Sequence, residues 1–324
     1  MVALNVNDVL SAGRLMFAAY NTNSEDLVTE LQGINLELNT DWSALPLVGG
    51  SELFHSNPIG FVPVTAFAAR NGPNGDTIAI SFQGSVEVQD WINNVGGGTI
   101  SWGPLYSAYQ PFFQALDAYL ADQESKNSPI SKILVTGHSQ AGAMVEYFLD
   151  RNRDDDRVVG VTFASPGIEA DIDNHYGTDR LLRIEHTDDL VVDLAEEVGY
   201  PFLGIPSIIF DAIQSITATQ KRTDRLDIEH DLKVFLGTDS LVNLFGEHFK
   251  ERYAKTTEIL FTSEFAQEIL NYYDQISARI GTSGVDAIYG GFGRDAIFGL
   301  GGYDLIYGGG SRDLIDGGDG NDEI

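Results

Sequence analysis

Residues 132–152 read KILVTGHSQAGAMVEYFLDRN, and this stretch decides the fold. Its first part, KILVTG at 132–137, is a short apolar run of the kind that forms a buried strand. Residues 141–152 have the apolar spacing of a helix. The turn between them is a G-x-S-x-A string, and a sharp strand–turn–helix elbow of this kind exposes its serine hydroxyl. We therefore predict that Ser139 is a nucleophile at such an elbow.

The same alternation of strand-like and helix-like runs continues on both sides of the elbow. Further strand-like runs are DTIAISF at 76–82, VVGVTFAS at 158–165 and RLLRIEH at 180–186, and further helix-like runs lie at 106–123 and 263–280. Such alternation predicts a mostly parallel sheet that is covered by helices on both faces, in the α/β class. Residues 195–229 fit no regular pattern, and their segment YPFLGIPSIIFDAI at 200–213 is apolar with two prolines, which favours an irregular wall.

A nucleophilic serine needs a base to remove its proton and an acid to orient that base. In α/β-hydrolases the chain order is serine, acid, histidine. Asp188 and Asp189 directly follow the strand-like run that ends at 186, so either could be the acid. The histidines beyond them are His230 and His248. We favour His230, because its neighbours are polar and loop-like, whereas His248 lies in a helix-like run.

Four segments resemble class 3 (fungal-type) lipases. They are IAISFQGS with DWI at 78–92, GHSQAGA at 137–143, FASPG at 163–167 and HTDDLV at 186–191. Matched residue by residue, the resemblance selects Asp189 as the acid and gives the oxyanion hole to Ser85 and the backbone N–H of Gln140. It also implies a lid over 86–95, with the apolar residues Val86, Val88, Trp91, Ile92 and Val95. The sequence departs from the family at Gln83, where arginine is common, and in having no proline after residues 189–191.

The last 44 residues have a different character, since they hold 14 of the 35 glycines. An aspartate recurs every nine residues and is followed two positions later by isoleucine, at Asp286, Asp295, Asp304, Asp313 and Asp322. A glycine lies two positions before four of these aspartates, at Gly284, Gly293, Gly302 and Gly320, and Ser311 takes the fifth place. The pattern resembles the calcium-binding β-roll repeat G-G-x-G-x-D-x-U-x. Bacterial lipases exported by the type I pathway also carry such repeats.

The repeat also has a physical logic. Glycines allow tight loops with φ > 0, aspartate supplies the oxygen ligands that suit Ca²⁺, and isoleucine starts a short strand. One coil of the roll then takes two repeats, and aspartates two repeats apart share a side. We therefore expect up to three calcium sites, at 286/304, 304/322 and 295/313. The last unit stops part-way at Ile324, so we expect the tract to be incomplete there.

Composition excludes several classes of protein. A net charge of −29 argues against nucleic acid as a partner, because phosphate contacts need Lys and Arg. The absence of cysteine excludes thiol catalysis and zinc–thiolate sites. No stretch approaches a membrane span, and the N-terminus lacks the basic leader of a secretory signal peptide. Since Arg14 interrupts its apolar run, we read it as an amphipathic helix of the mature protein.

Together these features predict an α/β-hydrolase domain at 1–280 and a short parallel β-roll at 281–324. The expected activity is that of a secreted lipase that acts on acylglycerols through Ser139, Asp189 and His230, with Ca²⁺ in the roll and a lipid interface as its partner. A phospholipase A1 is the nearest alternative. A calcium-dependent adhesin or binding protein with an inactive hydrolase-like domain is the alternative from a different class.

Overall fold

The computed structural model describes residues 3–56, 64–72, 76–84, 102–165, 167, 180–186, 231–236 and 250–324. Its helices in these ranges are α1 (Val6–Ala18), α2 (Ser24–Leu38), α3 (Trp102–Ala108), α4 (Gln110–Ser125), α5 (Gln140–Arg151), α6 (Lys250–Thr262) and α7 (Ala266–Asn271). The strands of the N-terminal part are β1 (Trp42–Leu45), β2 (Leu53–Ser56), β3 (Val64–Asn71), β4 (Thr77–Phe82), β5 (Lys132–His138), β6 (Val158–Phe163), β7 (Leu181–His186), β8 (Asp231–Leu236) and β9 (Ile276–Ile280). The strands of the tail are β10 (Ala287–Tyr289), β11 (Arg294–Phe298), β12 (Gly301–Gly302), β13 (Leu305–Tyr307), β14 (Leu314–Asp316) and β15 (Asp319–Gly320).

One large sheet organises the described residues. Its order is β1-β3-β4-β5-β6-β7-β8-β9-β11-β14, and β2 pairs with β3 from outside this path. From β4 onward every neighbouring pair is parallel, while β1, β2 and β4 run antiparallel to β3. The prediction of a mostly parallel α/β sheet is therefore confirmed. Because parallel strands run the same way, the residues that follow them gather at one edge of the sheet.

Helices cover both faces of the sheet, and each face has its own apolar core. On one face, residues such as Leu134 and Val161 pack with α1, α2, α6 and α7. On the other face, residues such as Ile133 and Val135 pack with α3, α4 and α5. Neighbouring residues of β5 thus point into different cores, as the alternation of side chains along a strand requires. Burial on both faces explains why the strand-like runs of the sequence are almost continuously apolar.

Local signals in the sequence account for the ends of the first two helices. Asn5 and Asp8 form a capping box at the start of α1, in which each side chain accepts a hydrogen bond from the other's backbone N–H. Helix α2 ends at Asn39, which adopts the left-handed conformation with φ 52°. The predicted amphipathic helix near the N-terminus is therefore present as α1.

The structure differs from the sequence expectation in two helical regions. The predicted helix at 106–123 is two helices, α3 and α4, that meet at Tyr109. The predicted helix at 263–280 was wrong over its last part, because the chain leaves α7 at Asn271 and forms strand β9. In β9 the apolar residues at 276, 278 and 280 face one core, which is the two-residue alternation of a strand. Positions 276 and 280 are also four residues apart, and this spacing had suggested a helix. Residues 195–229 lie outside the described residues.

The tail folds as the predicted roll of parallel strands. Strand β10 pairs with β13 and β11 pairs with β14, in each case with partners that lie two repeats apart. Ile297 and Ile306 fill the interior with 0% and 1% exposure, whereas Ile324 at the outer end is exposed. Strand β11 also pairs with β9, so one wall of the roll continues the main sheet. Within the part of the chain that is described, no helix is long and apolar enough to cross a membrane.

Candidate functional site

The predicted strand–turn–helix elbow is present between β5 and α5. Ser139 connects them with φ 60° and ψ −129°, a conformation that is strained for a residue with a side chain. A β-carbon built on Gly137 would approach Ala141 to 2.6 Å, and one built on Gly142 would approach Ser165 to 2.7 Å. The small residues on both sides of Ser139 are therefore required for the helix to pass this close to the strand.

Backbone hydrogen bonds hold the elbow in place. The N–H of Ser139 donates to the carbonyl of Phe163 on the neighbouring strand at 2.8 Å. The carbonyl of Ser139 accepts from the N–H of Gly142 at 2.8 Å, which closes the first turn of α5. Gln140 is the first residue of this helix, where backbone N–H groups and the helix dipole favour negative charge. Ser139 itself is buried, with 3% exposure.

The end of strand β4 lies directly against the elbow. A β-carbon on Gly84 would come closer than 3.0 Å to the backbone carbonyl oxygen of His138, so no side chain fits at that position. The hydroxyl oxygen of Tyr20 also contacts Gly84 and accepts a hydrogen bond from its backbone N–H. Burial raises the pKa of Tyr20, so this hydroxyl stays protonated. Tyr20 was not predicted as part of the site, because no motif in the sequence around it distinguishes it from other tyrosines.

Helix α6 supports the elbow from its other side. The ring of Tyr253 stacks on His186 at 3.8 Å between ring centroids and meets His138 edge-on at 5.6 Å. His186 also pairs with the hydroxyl of Thr256 at 2.9 Å. Both histidines are thus packed against α6, at the ends of β5 and β7. At the start of the helix, the Nζ atom of Lys250 lies 4.7 Å from the centre of the Tyr20 ring.

A buried ion pair lies behind the elbow. Glu146 on α5 is fully buried and accepts hydrogen bonds from Arg183 on β7, at 2.9 and 3.2 Å, and from the hydroxyl of Ser165 at 2.6 Å. These bonds connect α5 to Ser165, two residues beyond the end of β6, and to the middle of β7. Nothing in the sequence singled out this network, because a charged residue within a helical run is usually on a surface.

Most of the remaining predicted catalytic residues lie outside the described residues. These are Ser85, the lid residues Val86, Val88, Trp91, Ile92 and Val95, the acid Asp189, and the two candidate bases His230 and His248. Of the predicted catalytic and oxyanion groups, the structure describes Ser139 and Gln140, and it places them next to each other at the elbow.

The five aspartates of the roll differ in their hydrogen bonds. Oδ1 of Asp304 accepts from the N–H of Asp286, its counterpart two repeats earlier, at 2.8 Å. Its Oδ2 is buried and has no hydrogen-bond partner. A buried carboxylate oxygen without a donor is costly unless a cation balances it, so Asp304 fits a calcium ligand. Asp313 and Asp322 make the same Oδ1 contact, to Asp295 and Asp304 respectively, at 3.0 Å.

Backbone carbonyls must supply much of any calcium coordination in the roll. Within the described ranges, no group of three or more His, Cys, Asp or Glu side chains converges. The loops supply oxygens instead, because the coils stack closely: a β-carbon on Gly302, where φ is 130°, would strike the carbonyl of Gly284. Gly293, in contrast, has open space around it.

Comparison with known proteins agrees with both parts of the chain. Residues 280–310 and 289–324 match the family described as RTX calcium-binding nonapeptide repeat (4 copies). The tail therefore carries RTX calcium-binding repeats. No curated protein matches the sequence.

Solved lipase structures share the fold. The extracellular lipase LipA from Serratia marcescens is similar with a TM-score of 0.59 and 16% identity, over 98% of this chain and 65% of that one. This chain therefore spans just under two thirds of that lipase. M37 lipase is similar with a TM-score of 0.52 and 14% identity, over 83% of this chain and 99% of that one. The chain thus has a lipase-like α/β fold with a C-terminal RTX roll.

Proposed function

We propose that this protein is a secreted serine carboxyl-ester hydrolase that acts on acylglycerols, with Ser139 as its nucleophile. The observation that carries the proposal is the strained backbone of Ser139 at the junction of β5 and α5. Its Oγ attacks the ester carbonyl carbon while a base takes the hydroxyl proton. The alcohol leaves with that proton, and water then releases the fatty acid from the acyl-enzyme.

The oxyanion hole in this proposal consists of the backbone N–H groups of Gln140 and Ser85. Gln140 begins α5, so its N–H lies at the positive end of a helix. Ser85 follows Gly84, which packs against the carbonyl of His138. This packing supports the assignment, because it brings the end of β4 to the elbow. Loss of one such donor typically costs about 3 kcal/mol of transition-state stabilisation.

The acid in this proposal is Asp189. Strand β7 ends at His186 and runs parallel to β6 and β5, two strands away from the elbow. Residues that follow β7 in the chain therefore leave the sheet at the same edge as Ser139. Asp189 comes three positions after the strand end, and its role is to hold the base in one tautomer.

The direction of β8 leads us to propose His248 as the base in place of His230. Strand β8 is parallel to β7, and its first residue, Asp231, pairs with Arg183 in the middle of that strand. Position 230 precedes β8 in the chain and position 248 follows it, and the residues that follow parallel strands gather at the edge of the sheet that carries Ser139. Lys250 supports this choice, because it lies on the Tyr20 ring beside the elbow and two residues span at most about 7 Å.

Ser139 is buried, which supports a proposal in which a covering element moves before substrate enters. We propose that residues 86–95 are this lid. Their apolar side chains would cover the cleft when closed and contact lipid when open. Trp91 provides the largest apolar side chain of the segment.

Calcium in this proposal stabilises the roll and takes no part in the ester chemistry. Asp304, Asp313 and Asp322 would hold the ions together with carbonyl oxygens of the glycine-rich loops, Gly284, Gly293 and Gly302 included. When bound, the ion supplies positive charge to a tail in which acidic side chains greatly outnumber basic ones. Folding of the tail would then depend on extracellular calcium. The RTX repeats and the extracellular lipase of similar fold support export by a type I pathway.

One experiment separates this proposal from its alternatives. Fatty-acid release is measured from a triacylglycerol emulsion and from diacyl phospholipid vesicles, each with calcium and with chelator. We expect faster release from triacylglycerol. Faster release from the phospholipid, confined to the first acyl position, would favour a phospholipase A1. No release from either lipid or from a short soluble ester would favour a calcium-dependent binding protein.

A further inference from the structure

Strand β9 takes the place of a repeat unit at the inner end of the roll. It pairs with β11 at the same two-repeat offset that joins β11 to β14. In this register Ser277 lies opposite Asp295, and Arg279 lies opposite Ile297. A serine thus replaces the repeat's aspartate, and an arginine replaces its isoleucine, the residue that faces the interior of the roll.

Each later aspartate of the tail binds the aspartate one coil, or two repeats, before it. Asp295 has no repeat aspartate at that distance, because Ser277 of β9 occupies the place. Asp304, Asp313 and Asp322 each accept the backbone N–H of the aspartate two repeats earlier. The Oδ1 atom of Asp295 instead accepts a hydrogen bond from Nε of Arg279 at 2.8 Å. This ion pair is nearly closed to solvent, since Asp295 is 2% exposed and the Arg279 side chain 20%.

The other oxygens of the first two aspartates also have donors within the protein. Oδ2 of Asp295 accepts from the N–H of Gly291 at 2.7 Å. Oδ2 of Asp286 accepts from both the N–H and the hydroxyl of Thr282, at 2.7 and 2.9 Å. Oδ2 of Asp304 is the contrasting case, buried and without a hydrogen-bond partner. Asp295 therefore has a counter-ion and Asp286 has neutral donors within the protein, whereas Oδ2 of Asp304 has neither.

The backbone divides the loops into the same two groups. We call 281–286 and 290–295 the inner loops, and 299–304, 308–313 and 317–322 the outer loops. In each outer loop the second residue has a left-handed backbone conformation, with φ 75° at Leu300, 94° at Gly309 and 83° at Gly318. Thr282 and Gly291 hold the second place in the inner loops, and they use their N–H groups to bind the carboxylate of their own loop.

We propose that Arg279 is a built-in cation which supplies, at the inner end of the roll, the charge that calcium supplies to the outer loops. The inner loops then close before any ion binds, and β11 stays paired with β9 in calcium-free protein. The outer loops fold only when calcium binds. Removal of one partner from a buried ion pair leaves an uncompensated charge, so the inner coil depends on Arg279.

The test is amide hydrogen exchange of the full-length chain in calcium and in chelator. In chelator we expect the amides of β11 to be protected in the wild type and those of 305–324 to exchange freely. Arg279→Met should lower the protection of β11 by roughly tenfold or more, because Asp295 loses its counter-charge. Arg279→Lys should retain most of the protection. Arg294→Met is the matched control, since it removes a cation of β11 that pairs with Glu268 on α7 and with no repeat aspartate.

Three results would overturn the proposal. They are equal protection of β11 in Arg279→Met and wild type, equal loss in Arg279→Lys and Arg279→Met, or exchange of β11 as fast as the outer coils in chelator-treated wild type. If Arg279→Met does not fold, as judged from the amides of β5, calcium titration decides. Asp313→Asn should bind one ion fewer than the wild type, and Asp295→Asn should bind the same number. Loss of an ion in Asp295→Asn would contradict the inference.

Discussion

The backbone carbonyl of His138 lies against Gly84, so closely that a β-carbon on Gly84 would come within 3.0 Å of it. This contact joins the end of β4 to the elbow that carries Ser139. Because the obstructing atom belongs to the backbone, it cannot rotate away as a side chain would. The distance between the elbow and the end of β4, which the proposed oxyanion residue Ser85 follows in the chain, is therefore set by a glycine.

Gly84→Ala should disturb the site through this contact. We expect a loss of about 1–3 kcal/mol in the free energy of unfolding, since the added methyl group overpacks the junction. We also expect ester hydrolysis to fall more than stability alone explains, because the two strands shift apart. Thermal unfolding and kcat on a short soluble ester measure the two effects. Gly33→Ala, on α2 with open space around it, is the control and should lower neither quantity, since alanine favours a helix more than glycine does.

Tyr20→Phe tests whether the hydroxyl that binds the N–H of Gly84 positions the oxyanion hole. The change removes one buried hydrogen bond and little volume, so we expect kcat to fall several-fold with KM nearly constant. Burial keeps the pKa of Tyr20 above its ordinary value, so the pH profile below pH 9 should keep its shape. A fall in KM and kcat together, or an altered pH profile, would contradict a positioning role.

The two candidate bases are separated by single substitutions. His248→Ala should remove nearly all esterase activity without unfolding the protein, because Ser139 then lacks its general base. His230→Ala should leave most of the activity, since position 230 precedes β8. Activity is measured on a soluble ester and folding by circular dichroism. The reverse result would restore His230 and would mean that the chain returns to the elbow by another route.

Asp304→Ala should damage the roll more than Asp313→Ala. Asp304 offers its carboxylate toward the loop of Asp286 and its N–H to Asp322, so it links two neighbouring coils. Limited proteolysis in millimolar calcium measures the effect: we expect cleavage within 299–324 in Asp304→Ala and slower cleavage in Asp313→Ala. Equal protection of both variants would contradict the linking role of Asp304, and a tail equally protected in calcium and in chelator would contradict calcium binding at these loops.

Periodicity in the sequence was sufficient to predict the parallel sheet, the elbow at Ser139 and the coils of the roll. It failed at 276–280, where the apolar spacing of β9 also suits a helix and the strand is defined by its pairing with β8 and β11. Contacts between residues far apart in the chain could not be predicted from the sequence either. The hydrogen bond of Tyr20 with Gly84 and the ion pair of Arg279 with Asp295 depend on which elements pack together. Likewise, the choice between His230 and His248 depends on the direction of β8, which is known only from its parallel pairing with β7.

The central claim is that Ser139 forms the acyl-enzyme, and covalent labelling tests it most directly. The full-length protein is incubated in calcium with a lipid-like phosphonate that reacts with activated serines, and the modified peptide is identified by mass spectrometry. We predict stoichiometric labelling at Ser139 in the wild type and none in folded Ser139→Ala. Labelling at another serine, or no labelling of protein that hydrolyses a soluble ester, would contradict the account.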